Sequence, residues 1–495
     1  MHPIPKPPFV LRALVALGLL FSDGIPGFSL ASDKKPTFAP LAVEPGNHHY
    51  FHFRNHPAIL LTSGEHYGAL LNADFDFTIY FETLSADGFN LTRLFSGVYC
   101  EPAGAFKIDH NTLAPATGRL IAPFARSGSP GYANGGNKFD LTQWSPVYFK
   151  RLHTLMQSAS ANGIVVEFNF FCPFYRSGMW DLSPLNPVNQ VHPLPPPKRA
   201  NDIWTLDRSG PYLAIEESFV RKIVGELNRY DNLYYEVCNE PYQKTLPQDW
   251  HDHIAETIAA AEKNLPRKHL ISWNVANHGE KAIITKPRAV YSIFNFHYSN
   301  PPDEVDRNWH LGRPIGDNET GFDGQANRPY RSEAWEFLLA GGALFNHLDY
   351  SFAAGGHENG TFSYPDHQPG GGNATLRKQF AALKQLIESC DIPRLKPVPA
   401  GKFVKSDLPD KVRVRVLGEG NQAWLLYLTD TGRGHRVRLD LDLPAGQYEF
   451  TWINPVTGGI AKTETLSQTG KGPLSVQSPK LPEDLALKIL RKGRP

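Results

Sequence analysis

Between positions 57 and 389 the chain repeats one pattern eight times: a short apolar run of strand type, a loop with polar or aromatic residues, then a stretch of helical spacing. The strand runs fall at 58–62, 89–95, 164–170, 233–238, 269–275, 290–296, 313–319 and 343–348. The clearest helical runs fall at 75–86, 146–161, 216–230, 250–264, 332–340 and 375–389, with a weak one between the fifth and sixth strands. Buried parallel strands read as near-continuous apolar runs, and eight strand–helix cycles in about 330 residues predict a (β/α)8 TIM barrel, class α/β. A doubly wound open sheet is the competing arrangement. It is disfavoured because no Gly-rich phosphate loop follows any strand. Two connections are too long to be plain loops, the one to Gln143 and the one holding Trp180 and Trp204, and they read as functional inserts.

Past Ile392-Pro-Arg-Leu-Lys-Pro-Val-Pro399, which reads as a stiff linker, the period changes to two. Val412, Val414 and Val416 alternate with Arg413 and Arg415, and further short strands follow at 422–429, 435–443, 448–454 and 485–490. This predicts a small all-β sandwich domain over 395–495 behind a barrel domain over 32–394. Residues 1–31 have a basic start at Lys6 and Arg12, an apolar run from Ala13 to Phe21, and small residues at Ser29 and Ala31. They read as a cleaved secretory signal peptide, so a secreted or periplasmic protein is expected, with no membrane span.

The net charge of +1 argues against nucleic acid as a partner, since phosphate binding needs a clustered cationic excess. The four cysteines, Cys100, Cys172, Cys238 and Cys390, fit no zinc spacing. A Cys172–Cys238 disulfide and buried free thiols both remain open, the second favoured.

In a barrel of this kind, the C-terminal ends of the strands converge on one mouth. Those ends carry Glu65, His66, Arg93, Tyr99, Asn169, Asn239, Glu240, His297, Tyr298, Asp317, Glu319, Asp349 and Tyr350. There is no Ser/His nucleophile elbow, and strand one offers only Glu65-His66 towards a metal, so no metal site is expected. Asn239-Glu240-Pro241 ending strand four, with Glu319 ending strand seven, resembles the clan A retaining glycoside hydrolases, cellulase-like family 5 among them. The resemblance implies Glu240 as acid/base and Glu319 as nucleophile, with no cofactor and a carbohydrate substrate. It also implies Asn239 on a sugar hydroxyl, and Arg93 supporting the nucleophile, although an Arg93–Glu236 ion pair is equally expected from the residues themselves. His66, His297, Tyr298 and Trp180 complete the expected substrate-binding set. Strand eight ends in Asp349-Tyr350 where that family often has Trp.

The tail motif Trp452-Ile-Asn-Pro-Val-Thr-Gly458 resembles the collagen-binding-type β-sandwich that follows related barrels. The expectation is therefore a secreted retaining glycosidase cleaving O-glycosidic bonds, β-linked by the family's tendency. The alternative is a non-catalytic carbohydrate- or matrix-binding protein on the same scaffold. Adjacency of Glu319 is expected to raise the pKa of Glu240.

Overall fold

The computed structural model describes residues 38–277, 282–410, 412–429, 436–480 and 483–493; the expected signal peptide lies outside them. A small antiparallel sheet comes first, β1 (Ala42–Val43), β2 (Phe51–Phe53) and β3 (His56–Ala58). Arg54, in the tight turn between β2 and β3, donates to Asp231 (2.7 Å) and to the Ser160 carbonyl (2.9 Å). Asp231 sits just before a barrel strand, so this sheet covers the N-terminal end of the barrel.

The barrel strands are β4 (Leu60–Gly64), β5 (Leu91–Phe95), β8 (Val165–Phe171), β9 (Leu233–Cys238), β10 (Ile271–Ala276), β11 (Ile293–His297), β12 (Ile315–Thr320) and β13 (Leu344–Leu348). They form one parallel eight-stranded sheet in the order β4-β13-β12-β11-β10-β9-β8-β5. Every strand residue except Trp273 is buried, as expected for strands covered on both faces. The seam between β4 and β5 is closed by a side chain. The Asn90 amide donates to the Ile59 carbonyl (2.8 Å) and accepts from the Leu61 N–H (2.9 Å). Tyr80 also crosses the seam, within 3.2 Å of the Glu65 N–H and 3.1 Å of Thr92. A Cβ at Gly64 would sit 2.5 Å from the Tyr80 hydroxyl, so glycine is needed there.

The outer helices are α1 (Phe77–Ala86), α2 (Pro146–Ala161), α4 (Tyr212–Leu227), α5 (Gln248–Glu262), α6 (Asp303–Asn308), α7 (Asn327–Leu339) and α8 (Ala374–Glu388), with the short α3 (Ser177–Leu182) in the loop after β8. Their starts obey capping chemistry: Asp76 accepts from Thr78 and Ile79, Ser145 precedes Pro146, and Asn373 accepts from Leu376. The weak helix expected between β10 and β11 is absent among the described residues. That segment carries Gly279 and Pro287 and no sustained 3.6 period. The first long insert contains a hairpin, β6 (Phe124–Pro130) with β7 (Asn137–Trp144).

The run expected to be a linker is partly sheet: β14 (Leu395–Pro397) pairs with β15 (Arg413–Glu419). Strands β15, β16 (Ala423–Thr429), β21 (Leu485–Lys492), β18 (Gly446–Ile453) and β19 (Ile460–Gln468) continue a six-stranded antiparallel sheet. A two-stranded ribbon, β17 (Arg438–Leu441) with β20 (Leu474–Gln477), lies against it, and a short helix α9 (Ala400–Phe403) packs alongside. Period two divides β16 between two cores. Trp424, Leu426 and Leu428 face the ribbon, while Leu425 and Tyr427 join the barrel core. Tyr427 stacks on Trp335 of α7. The Trp452–Gly458 turn also leans on the barrel, its Val456 carbonyl accepting from Gln379 of α8 (3.0 Å).

Arg331 of α7 locks this junction, donating to Asp484 (2.9 Å) and pairing with Glu483, while the Tyr427 hydroxyl donates to Asp484 (2.6 Å). Arg331 and Asp484 are each 2 % exposed. Removing one partner strands a buried charge, so Arg331→Ala is expected to lose ~3–5 kcal/mol of unfolding free energy in a denaturant titration. A change below about 0.5 kcal/mol would show that the junction does not depend on this pair.

Candidate active site

Arg93, on β5, lies under the barrel mouth with its side chain wholly buried. Its Nε donates to Glu167 of β8 (2.9 Å), and one Nη donates to Glu319 of β12 (3.1 Å). The other Nη serves Glu236 of β9 and the side-chain oxygen Oδ1 of Asn239 (2.7 Å). The guanidinium also stacks over the Tyr67 ring, 4.6 Å from its centroid. One cation thus ties four strands and contacts both carboxylates expected as its partners, Glu319 and Glu236.

Three asparagines complete the layer. Asn318 donates to Glu167 (2.6 Å) and Glu236 (2.9 Å), Asn295 donates to Glu236 (3.0 Å), and Asn274 donates to Asn318 (3.2 Å). Gly316 makes room for this layer, because a Cβ there would meet Asn295 Oδ1 at 2.4 Å. Burial pushes the Glu167 carboxyl up to about 8, with Glu236 adding to the push and Arg93 opposing it. Burial pushes Glu236 the same way, but Arg93, Asn295 and His297 together outweigh it and leave Glu236 below the ordinary range. The surroundings of the pair thus favour a proton on Glu167 over one on Glu236.

Above this layer stand the two carboxylates singled out in the sequence. Glu319 reaches the mouth through a β-bulge. The register passes from Phe296–Asp317 to His297–Glu319, so Asn318 is the extra residue, and Asn318 and Glu319 both face inward. Its oxygens accept from Arg93 and from the Tyr298 hydroxyl (2.7 Å). Glu240 follows β9 in a left-handed conformation, φ +37°, uncommon for a residue with a side chain. Its N–H is anchored on Asn274 Oδ1 (2.9 Å). Its carboxylate accepts from Tyr175 (2.8 Å), and the Tyr242 hydroxyl lies 3.3 Å away.

His297 Nδ1 faces both acids, 3.1 Å from Glu240 and 3.5 Å from Glu319. Burial pushes Glu240 up, but His297 and the hydroxyls of Tyr175 and Tyr242 more than offset it, leaving Glu240 below its ordinary value. The expected rise is thus reversed: His297, Tyr175 and Tyr242 together outweigh burial.

A cavity of about 290 Å³ opens over the two carboxylates. His66, Asn239 and Tyr298 line it as expected, with Tyr67, Tyr99, Phe106, Tyr175 and Phe322 supplying aromatic faces. Arg93 and His297 lie behind these walls, in contact with Glu319 and Glu240. Asn239 has both amide ends engaged, by Arg93 and by the Tyr175 hydroxyl (2.9 Å). Burial holds His66 down at about 4, so it is neutral at ordinary pH. Trp180 lines a neighbouring cavity, which also includes Tyr175.

Sequence reasoning missed Glu101, Glu167 and Tyr175. Glu167 was readable as a lone acid inside an apolar run, the sign that marked Glu236. Glu101 lies beyond its strand, fixed by Tyr99 (2.9 Å) and Asn111 (2.6 Å), and burial pushes it up to about 7. The four cysteines are free thiols. Glu240, His297 and Glu319 bring one ligand atom each to within 4.8 Å of one another, so three separate strand ends assemble a set able to hold a cation that no local motif announces.

No known family profile matches the sequence, and no curated protein matches it. Solved structures do. A protein from Bacteroides vulgatus ATCC 8482 proposed to be a glycoside hydrolase aligns over 92 % of this chain and 82 % of its own, at 14 % identity and TM-score 0.64. A glycoside hydrolase family 5 protein from the same strain aligns over 93 % and 96 %, at 14 % identity and TM-score 0.60. A further glycoside hydrolase aligns over 92 % and 98 %, at 14 % identity and TM-score 0.58. At this identity the likeness establishes the fold, a TIM barrel carrying a C-terminal β domain.

The buried proton has a measurable consequence. Glu167 is raised from 4.5 to about 8, so the folded chain holds a proton that the unfolded chain releases, and stability falls as pH rises through that window. Glu167→Gln mimics the protonated form. Denaturant titrations are expected to show wild type losing stability relative to Glu167→Gln between pH 5 and 8.5. Parallel curves would place the proton elsewhere.

Proposed function

We propose that this chain is a retaining glycoside hydrolase that cleaves O-glycosidic bonds by double displacement, with Glu319 as nucleophile and Glu240 as acid/base. The observation that carries the reading is the spacing: Glu240 and Glu319 oxygens lie within 4.8 Å of each other across the mouth of the barrel. Retaining enzymes hold their two carboxyl groups about 5–5.5 Å apart, whereas inverting ones leave about 6.5–9.5 Å for a water molecule. The glycoside hydrolases with similar folds support the same class.

In the first step a Glu319 oxygen attacks the anomeric carbon while Glu240 gives its proton to the departing oxygen. Arg93 and Tyr298 fix the Glu319 oxygens for that attack. Bound sugar excludes water, and its bridging oxygen takes the place of a hydroxyl donor on Glu240, which moves that carboxyl upward and supplies the acid form. In the second step Glu240 takes a proton from water, which attacks the glycosyl ester and frees Glu319. Substrates are oligo- or polysaccharides with β linkages, met in a secreted or periplasmic setting.

A metal-dependent hydrolase is the second reading, resting on the Glu240–His297–Glu319 set. Turnover of a panel of aryl β-glycosides separates the two. Glu319→Gln is expected to lose turnover on all of them. Glu240→Gln is expected to lose about 10²–10⁴-fold on poor leaving groups, and to regain turnover of activated ones with azide, which forms a glycosyl azide. EDTA is expected to leave wild type unchanged. Activity lost to EDTA and restored by a divalent ion would favour the metal reading, and full activity in Glu319→Gln would contradict the proposed nucleophile.

A further inference from the structure

The charge in the cleft is divided. The catalytic cavity presents three carboxylates, Glu101, Glu240 and Glu319, and no lysine or arginine lines it. The cavity beside it is lined by three cations, Arg176, Arg199 and Lys244, against one carboxylate, Asp202. Asp202 is already engaged by Arg199 at 2.8 Å. Among the described residues Arg176 and Lys244 have no ion pair, and Arg176 rests over the Phe106 ring at the border of the two cavities. Arg176 feels the Glu101 carboxylate across that border but pairs directly with no acid, so these two side chains carry the charge left without a direct partner.

The two cavities share Tyr175, whose hydroxyl donates to Glu240. Lys244 belongs to the turn Pro241–Lys244 that starts directly after Glu240. Resting on the glycosidase reading, in which Glu240 protonates the departing oxygen, this neighbouring cavity lies on the leaving-group side of the bond. Its wall also offers the half-buried indole of Trp180, a face suited to the apolar side of a sugar ring.

We propose that the Arg176–Lys244 cavity binds an anionic saccharide on the leaving-group side, so that the substrate joins an uncharged glycone to an acidic sugar. The acid is a uronate carboxylate or a sulfate ester. The same charge arrangement disfavours an acidic glycone, which would meet Glu240 and Glu319 in a cavity lined by no lysine or arginine. Two exposed cations give a modest, salt-sensitive contribution, and stacking on Trp180 supplies the rest.

The test reads binding without turnover. Wild-type protein is titrated with D-glucuronate, D-glucose 6-sulfate and D-glucose while tryptophan fluorescence is followed. A saturable change is expected with one or both charged sugars and not with glucose. It should weaken about tenfold from about 20 mM to about 500 mM NaCl. R176A/K244A is expected to lose about tenfold in affinity and the salt dependence, with an unchanged melting temperature. A response to glucuronate alone assigns a uronate, and one to the sulfate alone assigns a sulfate ester. Glucose binding as tightly as the charged sugars, no response to either charged sugar, or R176A/K244A binding like wild type would each overturn the proposal. A wild type that binds the charged sugars but cleaves no glycoside would instead refute the glycosidase reading and leave the anion site standing.

Discussion

Everything at the mouth of this barrel depends on one buried guanidinium. Arg93 has no solvent contact, and a charge in that position is tolerated only if its donors are used. All three nitrogens are used: Glu167, Glu236, Glu319 and Asn239 accept from four of the five N–H groups, and Tyr67 covers its face. These acceptors come from β8, β9 and β12 or the strand ends beside them, so the interaction holding the strand ends together also aims the acids above. The cost is an excess of negative charge around one cation, relieved by holding a proton on Glu167.

The upper layer follows from that base. Glu319 is fixed by Arg93 below and Tyr298 beside it; Glu240 is fixed by a strained turn, an N–H anchored on Asn274 and hydroxyls around its carboxylate. Two groups held by different elements keep their separation only if the scaffold is stiff, and the ladder of asparagines under them supplies that stiffness. In the proposed reaction the two acids do different work because their neighbours differ: Glu319 faces a permanent cation, while Glu240 faces only a histidine and hydroxyls that a ligand can displace.

Much of this was readable in the sequence, and the exceptions have physical causes. Apolar period and turn residues located all eight barrel strands, because strands buried on both faces read as mainly apolar runs even with the inward polar residues of the mouth among them. Pro146–Ala161 was readable to the residue, from a Ser-Pro start and an Asn-Gly stop. The β19 and β20 strands were missed because half-exposed edge strands such as Ile460–Gln468 alternate polar residues with polar residues. The inward aim of Glu319 depends on the bulge at Asn318, which changes strand parity without a sequence sign. Glu101 and Trp180 sit in long loops, where tertiary contacts rather than local pattern decide direction. Glu240 and Glu319 were singled out because the Asn-Glu-Pro motif falls at the end of strand four while a glutamate ends strand seven.

The most direct test of the account is the intact mass of the protein after incubation with 2-deoxy-2-fluoro glycosyl fluorides covering several glycones. The 2-fluorine slows both displacements while the fluoride leaving group keeps the first one accessible, so a covalent glycosyl ester accumulates on the nucleophile. The account predicts a mass gain of one fluorosugar, mapping by peptide analysis to Glu319 and absent in Glu319→Gln. An adduct on Glu240 or any other residue would contradict it, as would cleavage of the corresponding glycosides with inverted product and no adduct.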